Sequence, residues 1–381
     1  SLSIGQFLEM RYNRSLRIVA ATIRTIAEMI TNAIGPAVAS SFFIYFLGLP
    51  HEVMVCGIAL PTFTLVVGAS LALCMVIIWP GGRISLLISD AFQGLMSYPI
   101  FVVIAGYIFL HFGWHDTIGP VMIDRAEGES FINPFDIEKL RDFNIFALVV
   151  TILGSVMNRA SWIGNDTTTS GRTPHEQKMA GILGTWRSLF AGLMMLLIAV
   201  MIIALMAHGK FAGQAEEIRS ELTQKVSQEA VVDLELRANL DRELSLVVAP
   251  LQHIGIDQPL SQEHNTDTPY IQAAHQALEG TPEGNQQFQK FRTLYHQMML
   301  PVALKNLLPT GLMGLFLLLM IMLLISTDDS RVFNASSTIV QDMILPFFKN
   351  PLTPEQHLFL LRMTSLAVCV FFFVVSISSC R

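Results

Sequence analysis

The sequence predicts an all-α, polytopic membrane protein in which seven helices cross the bilayer. Of its 381 residues, 52% are hydrophobic and only 14% are charged, and the mean hydropathy is positive. This balance is typical of membrane proteins. A helix needs about 20 apolar residues to cross a hydrocarbon core of roughly 30 Å, and segments of this kind recur along the chain. We place the spans at 18–47, 52–79, 84–112, 143–161, 182–208, 309–343 and 356–380.

The first and sixth predicted spans depart from a plain apolar helix. Segment 18–47 contains Arg24, Glu28 and the pair Gly35-Pro36, so we expect it to be buried among other helices and to kink. Because Arg24 and Glu28 are one turn apart, we expect them to form a structural ion pair. Segment 309–343 is unusually long, and its last turns are expected to extend into an aqueous vestibule or the cytoplasm.

Two polar segments interrupt the apolar pattern and carry much of the net charge of −6. The loop 113–142 is acidic. Segment 209–299 alternates charged and apolar residues and then becomes rich in Gln, Pro and His, so we expect a partly helical extracytoplasmic insertion, either a small cap or a solvated excursion without chemistry. The predicted organisation is a cytoplasmic N-terminal segment (1–17), three spans (18–112), the acidic loop (113–142), two spans (143–208), the insertion (209–299) and two further spans (300–381).

The basic residues of the short loops predict the orientation. All of them fall on one side of the predicted spans, which by the positive-inside rule is the cytoplasm. We therefore predict a multi-pass protein of the cell (inner) membrane, with the N-terminus of the chain cytoplasmic and its C-terminus extracytoplasmic. The basic residues are Arg11, Arg14, Arg17, Arg83, Arg159, Arg172, Lys178, Arg187 and Lys349.

Composition and motifs argue against several other classes of function. No basic patch indicates a nucleic-acid partner. The sequence shows no nucleophile–base pair, metal cluster or phosphate loop of the kind that would predict an enzyme. The cysteines lie in apolar runs without metal-ligand spacing, which is typical of packing residues. They are Cys56, Cys74, Cys369 and Cys380.

The most informative stretch, LISTDDSRVFNASSTIVQD (324–342), follows the wholly apolar run 311–325. The helix therefore carries hydroxyls and carboxylates to membrane depth, where charges mark ion or substrate pathways. At helical spacing Ser326, Asp329 and Ser330 fall near one face. A stripe of oxygen atoms of this kind can replace the hydration shell of a small, hard cation.

Three segments of the chain resemble signature segments of the sodium/solute symporter family, which includes carriers of proline, pantothenate, sialic acid and sugars. They occur in the family's order, and a looser fourth match follows the second. The resemblance covers spans and cytoplasmic loops but neither 113–142 nor 209–299. The segments are SIGQFLEMRYNRSLR (3–17), similar to T-L-G-E-F-L-E-x-R-Y; GGRISLLISDAFQG (81–94), similar to G-G-x-x-A-V-x-x-T-D-x-x-Q; the looser HEQKMAGILGTW (175–186); and ISTDDSRVFNASSTIVQD (325–342), similar to S-T-A-D-S-x-x-x-x-x-S-S-x-x-x-x-D.

The resemblance implies a LeuT-like fold, with two inverted five-helix repeats around a midplane site. It also implies sodium-coupled symport of a small organic solute by alternating access. The seven spans would be the last three helices of repeat one and the first four of repeat two. The chain would then be an internal fragment without the broken first helix, which in this family supplies carbonyls to the sodium site. The alternative is a symporter-like membrane sensor module of a signalling protein.

The resemblance places the family's shared sodium site on the sixth span. Its two adjacent hydroxyl residues correspond to Ser326 and Thr327, and its backbone carbonyl corresponds to Leu323. Na+, as the co-transported ion, is the expected occupant. The alternative is that both hydroxyls bond to the carbonyls four residues back, as Ser and Thr often do in membrane helices.

A second ion position is expected between Asp90 and the sixth span. The resemblance links Asp90 to positions that correspond to Asp329 and Ser330, so a second cation, or a proton, would bridge the two carboxylates. Two carboxylates close together do not both remain charged without such a partner. The alternative for Asp90 is a packing role, hydrogen-bonded to backbone and to Gln93.

The candidate solute contacts follow the fourth span. Asn158, Ser161 and Trp162 occupy the place where family members break the first helix of repeat two and put gating aromatic residues. The local sequence NRASWIGNDTTTSGR does not align with the family's usual aromatic and Q-R residues, so it does not predict which solute is carried. Trp162 has the alternative of an interfacial anchor.

Overall fold

The computed structural model describes residues 4–55, 57–133, 145–161, 171, 173–248, 266–281, 283–348, 350 and 352–378. The described chain is almost entirely helical, which confirms the all-α class. Short π-helical turns follow α3 and α11, at Trp114–Ile118 and Ile339–Ile344, and single 3-10 turns lie at Gly209–Phe211 and Leu345–Phe347. The helices are α1 (Ile4–Arg11), α2 (Arg14–Leu47), α3 (Thr62–His111), α4 (Gly119–Ile123), α5 (Ile145–Ser161), α6 (Pro174–Ala207), α7 (Ala212–Ala230), α8 (Leu234–Ser245), α9 (Thr268–Leu278), α10 (Gly284–Leu307), α11 (Thr310–Thr338) and α12 (Pro354–Ser378).

Five of the described helices are long and apolar enough to cross a membrane. They are α2, α3, α6, α12, and α11 together with the turns that extend it to Phe347. In place of the predicted span 143–161, α5 offers a shorter apolar stretch, Ile145–Met157. The structure therefore supports a polytopic membrane protein, while seven crossings remain a prediction.

The predicted second span begins ten residues later than expected, because its first residues form a β-hairpin. Strands β1 (Glu52–Val55) and β2 (Ile58–Pro61) pair antiparallel, with Val55 opposite Ile58. Gly57 has a φ of 84°, the left-handed conformation that glycine adopts in such tight turns. The hairpin leads directly into α3, where Thr62 N donates to the carbonyl of His51 at 2.8 Å.

Helix α3 folds back on itself at Gly82. A straight helix of 50 residues would be about 75 Å long, but the backbone leaves helical geometry at Gly82, with φ 50° and ψ −125°. Successive positions along α3 contact residues of α11 whose numbers first increase and then decrease, so the two arms of α3 run side by side. The contacts are Cys74 Sγ to Ile325 O (4.0 Å), Gly82 to the Phe333 ring, and Asp90 to Ser326. Farther along the second arm, Tyr107 Oη donates to the carbonyl of Leu307, the last residue of α10, at 3.0 Å.

Helix α2 runs antiparallel to α11. Arg17 contacts Asp342 near the start of α2, and the rings of Phe46 and Phe316 lie 5.5 Å apart near its end. The molecule therefore has two ends. We call them the Gly82 end, which holds α1 and the fold-back of α3, and the insertion end, which holds the β-hairpin and α7 to α10. The short basic segments before α2 and after Gly82 lie at the same end, while the side of the membrane to which they belong remains a prediction.

Helices α7 to α10 form the core of the predicted insertion and are joined to the membrane helices. Their buried side chains form one apolar cluster with residues near the ends of α2, α3 and α6. At its centre Arg219, 1% exposed, pairs with Asp267 at 2.8 Å and donates to the carbonyl of Met206 in α6 at 2.8 Å. Helix α10 continues through the predicted boundary at 299–300 as far as Leu307.

Candidate functional site

The polar stretch of α11 lies where this helix contacts both α3 and α2. The helix continues without a break through the hydroxyls and carboxylates to Thr338. Asp328 and Asp329 are 1% and 0% exposed. Consecutive residues of a helix point about 100° apart, so the two carboxylates face different neighbours.

Ser326 faces the second arm of α3. Its Oγ donates a hydrogen bond to Asp90 Oδ1. The carboxylate of Asp90 also lies within electrostatic range of Asp329, which is one turn beyond Ser326. The structure therefore brings together three of the residues predicted to hold ions: Asp90, Ser326 and Asp329.

Asp329 is a fully buried carboxylate without a hydrogen bond from the described residues. Neither of its oxygens meets hydrogen-bond geometry with a donor. The backbone N–H and the hydroxyl of the adjacent Ser330 approach the carboxylate as donors, but neither reaches hydrogen-bond geometry. An isolated ionised carboxylate is among the most costly groups to bury, and a buried polar group without a partner needs an explanation. A bound cation or proton would supply it.

Asp328 faces α2 rather than Asp90. Its Oδ1 lies 3.5 Å from Arg331 Nη1, an ion pair one turn along the helix, and neither oxygen makes a hydrogen bond with the described residues. The guanidinium fits because the facing residue of α2 is Gly35: a β-carbon there would overlap Arg331 Nη1. The resemblance singled out neither Asp328 nor Arg331.

Thr327 and Leu323 form a separate pair of oxygens on an exposed part of α11. Thr327 Oγ1 donates to the carbonyl oxygen of Leu323 at 2.7 Å. This is the bond to the carbonyl four residues back that was the alternative for both hydroxyls, and in the structure Thr327 adopts it while Ser326 does not. The two adjacent hydroxyls therefore point to different surroundings.

The candidate solute contacts fall outside what the structure describes. Asn158 and Ser161 belong to α5, but their side chains are not among those described, and Trp162 lies outside the described residues. Their role stays a prediction. The expected structural pair in α2 is confirmed, because Arg24 Nε donates to Glu28 Oε1 at 2.8 Å.

The third carboxylate of the polar segment, Asp342, is part of an ion-pair cluster at the Gly82 end. Arg17 donates to Asp342 Oδ1 from Nε at 3.0 Å, to the carbonyl of Gln341 at 2.7 Å and to Glu9 at 2.5 Å. Helix α1 rests on the same carboxylate, because a β-carbon at Gly5 would lie 2.5 Å from Asp342 Cγ. Two of the segments that resemble symporters thus meet at this pair, which sequence spacing alone did not reveal.

The described residues contain no group of three or more His, Cys, Asp or Glu side chains arranged to hold a metal ion. The oxygen donors on α11 are carboxylates, hydroxyls and a backbone carbonyl, which hard cations prefer. Comparison with models of known protein families gives no match, and comparison with curated proteins gives none. The likeness to symporters rests on the sequence segments alone.

Proposed function

We propose that the chain is the ion-binding part of a sodium-coupled secondary transporter that carries a small organic solute across the cell membrane. The observation that carries this proposal is Asp329, a fully buried carboxylate without a hydrogen bond from the described residues, within range of Asp90. A buried charge in a membrane-spanning helix is costly, and where one occurs it commonly serves an ion or substrate pathway.

The ion position predicted between Asp90 and α11 consists, in this proposal, of Asp329, Asp90 and Ser326, so Ser326 is assigned to it rather than to the position of Thr327. Ser326 donates its proton to Asp90, so the lone pairs of its oxygen remain available to a cation held between the two carboxylates. Ser330, next to Asp329, adds a further hydroxyl. Because Asp90 belongs to α3 and Asp329 to α11, a cation at this position draws the two helices together.

The other ion position is the family's shared sodium site. Its proposed ligands here are Thr327 and Leu323, whose oxygens already lie 2.7 Å apart. Binding there requires the hydroxyl to turn its proton away from the carbonyl and both oxygens to face the ion. The resemblance implies that carbonyls of the family's broken helix complete this position, and the exposed setting of Thr327 is compatible with that.

Coupling follows from a difference in affinity and requires no covalent step. If Na+ binds more tightly when α3 and α11 are close together, it shifts the population toward that arrangement. A solute that prefers the same arrangement then binds more tightly in the presence of Na+, and the effect is reciprocal. In this proposal Asn158, Ser161 and Trp162 contact the solute, and the surrounding partner is the lipid bilayer.

Binding of radioactive ²²Na+ to the full-length protein in lipid nanodiscs tests the proposal without knowledge of the solute. We expect saturable binding that K+ does not displace and that Asp329→Asn weakens at least tenfold. Ser336→Ala is the matched control, because this buried hydroxyl of the same helix donates to the carbonyl of Val332 in its own helix, at 2.6 Å. Absence of Na+ binding in the wild type, or equal binding by Asp329→Asn, would overturn the proposal.

A further inference from the structure

Arg331 is a cation that the protein itself places beside the candidate ion site. Its guanidinium lies between Asp328, with Nη1 and Oδ1 3.5 Å apart, and the backbone of Gly35 in α2. The side chain is 30% exposed, whereas Asp328 is 1% exposed. A β-carbon at position 35 would force Arg331 Nη1 to shift, so this arrangement depends on two helices rather than on α11 alone.

The contact between Arg331 and Asp328 differs from an ordinary structural ion pair. Arg17 and Asp342 approach to 2.8 Å and share a hydrogen bond from Nε, as guanidinium–carboxylate pairs usually do. At 3.5 Å Arg331 balances the charge of Asp328 but leaves both carboxylate oxygens without a hydrogen bond. Arg331 therefore compensates the charge of Asp328 without fixing the orientation of its carboxylate through hydrogen bonds.

The charges of the site can be counted from these contacts. Asp328 and Asp329 bring two neighbouring buried carboxylates, Asp90 brings a third within electrostatic range of Asp329, and Arg331 balances that of Asp328. Asp90 and Asp329 then share one external cation. Without Arg331, the same low-dielectric region would also hold the uncompensated carboxylate of Asp328, which needs a further cation.

We propose that Arg331 sets the number of Na+ ions that the site takes up, by acting as a resident cation for Asp328. The inference rests on the proposed function and deepens it. It makes Arg331 a residue that determines ion stoichiometry without touching the bound ion, and it makes Gly35 the residue that admits the guanidinium.

The test measures the number of ²²Na+ ions bound per full-length protein at saturation, together with the Hill slope. We expect Arg331→Gln to bind one further Na+ per protein, with a steeper slope. Arg331→Lys keeps the charge and should bind as the wild type does. The double variant Asp328→Asn/Arg331→Gln removes both charges and should return to the wild-type number.

Gly35→Ala provides an independent variant that alters no charge. The added methyl overlaps Arg331 Nη1 and displaces the guanidinium from Asp328, so we expect the same gain of one Na+ as in Arg331→Gln. If Arg331→Gln does not fold, this variant decides: a gain supports the proposal, and an unchanged number overturns it.

The outcomes separate this inference from the proposed function. If the wild type binds Na+ while Arg331→Gln and Gly35→Ala bind the same number of ions with the same slope, the role of Arg331 is overturned and the transporter proposal stands. If the wild type binds no Na+, both are overturned. A double variant that keeps the extra ion would also overturn the role of Arg331, because Asp328 would not be its origin.

Discussion

Asp342 and Asp329 belong to one polar segment of the chain, and both are buried, yet their partners differ. Asp342 accepts a hydrogen bond from Arg17 Nε, lies 2.8 Å from Arg17 Nη2, and supports α1 through Gly5. Asp329 receives no hydrogen bond from the described residues. The difference separates a carboxylate that holds helices together from one that is available to an ion, although the two look alike in sequence.

The largest expected effect is a loss of stability when Asp342 loses its partner Arg17. Arg17→Met leaves the carboxylate of Asp342, whose side chain is 9% exposed, without its ion pair, and removal of one partner of a buried pair typically costs about 3 kcal/mol. Thermal unfolding in detergent should show a fall of several degrees in the midpoint. Arg242→Met is the control, because its pair with Glu243 is exposed and 4.0 Å long. Equal midpoints for the two variants would contradict a structural role for Arg17.

Asp329→Asn should produce the opposite result. Without Na+ the variant is expected to unfold at a higher temperature than the wild type, because it no longer buries an uncompensated charge. Na+ at 100 times its dissociation constant should stabilise the wild type by about 2.7 kcal/mol and leave the variant unchanged. Thermal unfolding with NaCl and with choline chloride measures both effects. A variant that Na+ still stabilises would remove Asp329 from the ion site.

Removal of the Ser326 hydroxyl should weaken Na+ binding more than removal of the adjacent Thr327 hydroxyl. Ser326→Ala removes a hydrogen bond to the carboxylate of Asp90, and bonds to charged groups contribute about 1.5–3 kcal/mol, so we expect at least a tenfold rise in the Na+ concentration for half-maximal binding. Thr327→Ala should raise it less, because its hydroxyl first has to leave the carbonyl of Leu323. Thr338→Ala is the control for loss of a bond to the carbonyl four residues back. Unchanged Na+ dependence in both Ser326→Ala and Thr327→Ala would remove the hydroxyls from the site.

The smallest effect concerns the insertion end. Burial tends to raise the pKa of Glu221, but hydrogen bonds from Asn306, Lys225 and Lys305 outweigh it and lower the pKa from 4.5 to about 2. The folded state therefore binds fewer protons than the unfolded state in this range, and stability present above pH 4.5 is lost as the pH falls toward 2. Glu221→Gln should flatten this part of the curve of unfolding midpoint against pH. An identical curve would show that these donors do not stabilise the carboxylate.

Long apolar segments allowed much of the fold to be predicted. The spans that became α2, α6, α11 and α12 were predicted from length and hydropathy alone, and the link between 79 and 84 became the fold-back at Gly82. The hairpin at 52–61 was missed because a short apolar run does not distinguish strand from helix.

The candidate site was predicted only in part, because partners across helices are not visible in the sequence. The polar face of α11 follows from spacing, but the preference of Ser326 for Asp90 and of Thr327 for its own backbone depends on how α3 packs. The pairing of Asp328 with Arg331 depends on a glycine in a helix distant in sequence, which no local pattern indicates.

The contacts at the insertion end have a mechanical consequence. Arg219 ties the insertion to the last turn of α6, Glu229 receives the hydroxyl of Tyr45 in α2 at 2.6 Å, and Leu307 receives that of Tyr107 in α3. Three helices are thus joined to the packed helices of the insertion at that end. If the proposed transport cycle tilts these helices, we expect the largest change in their separation at the Gly82 end, where these contacts do not hold them.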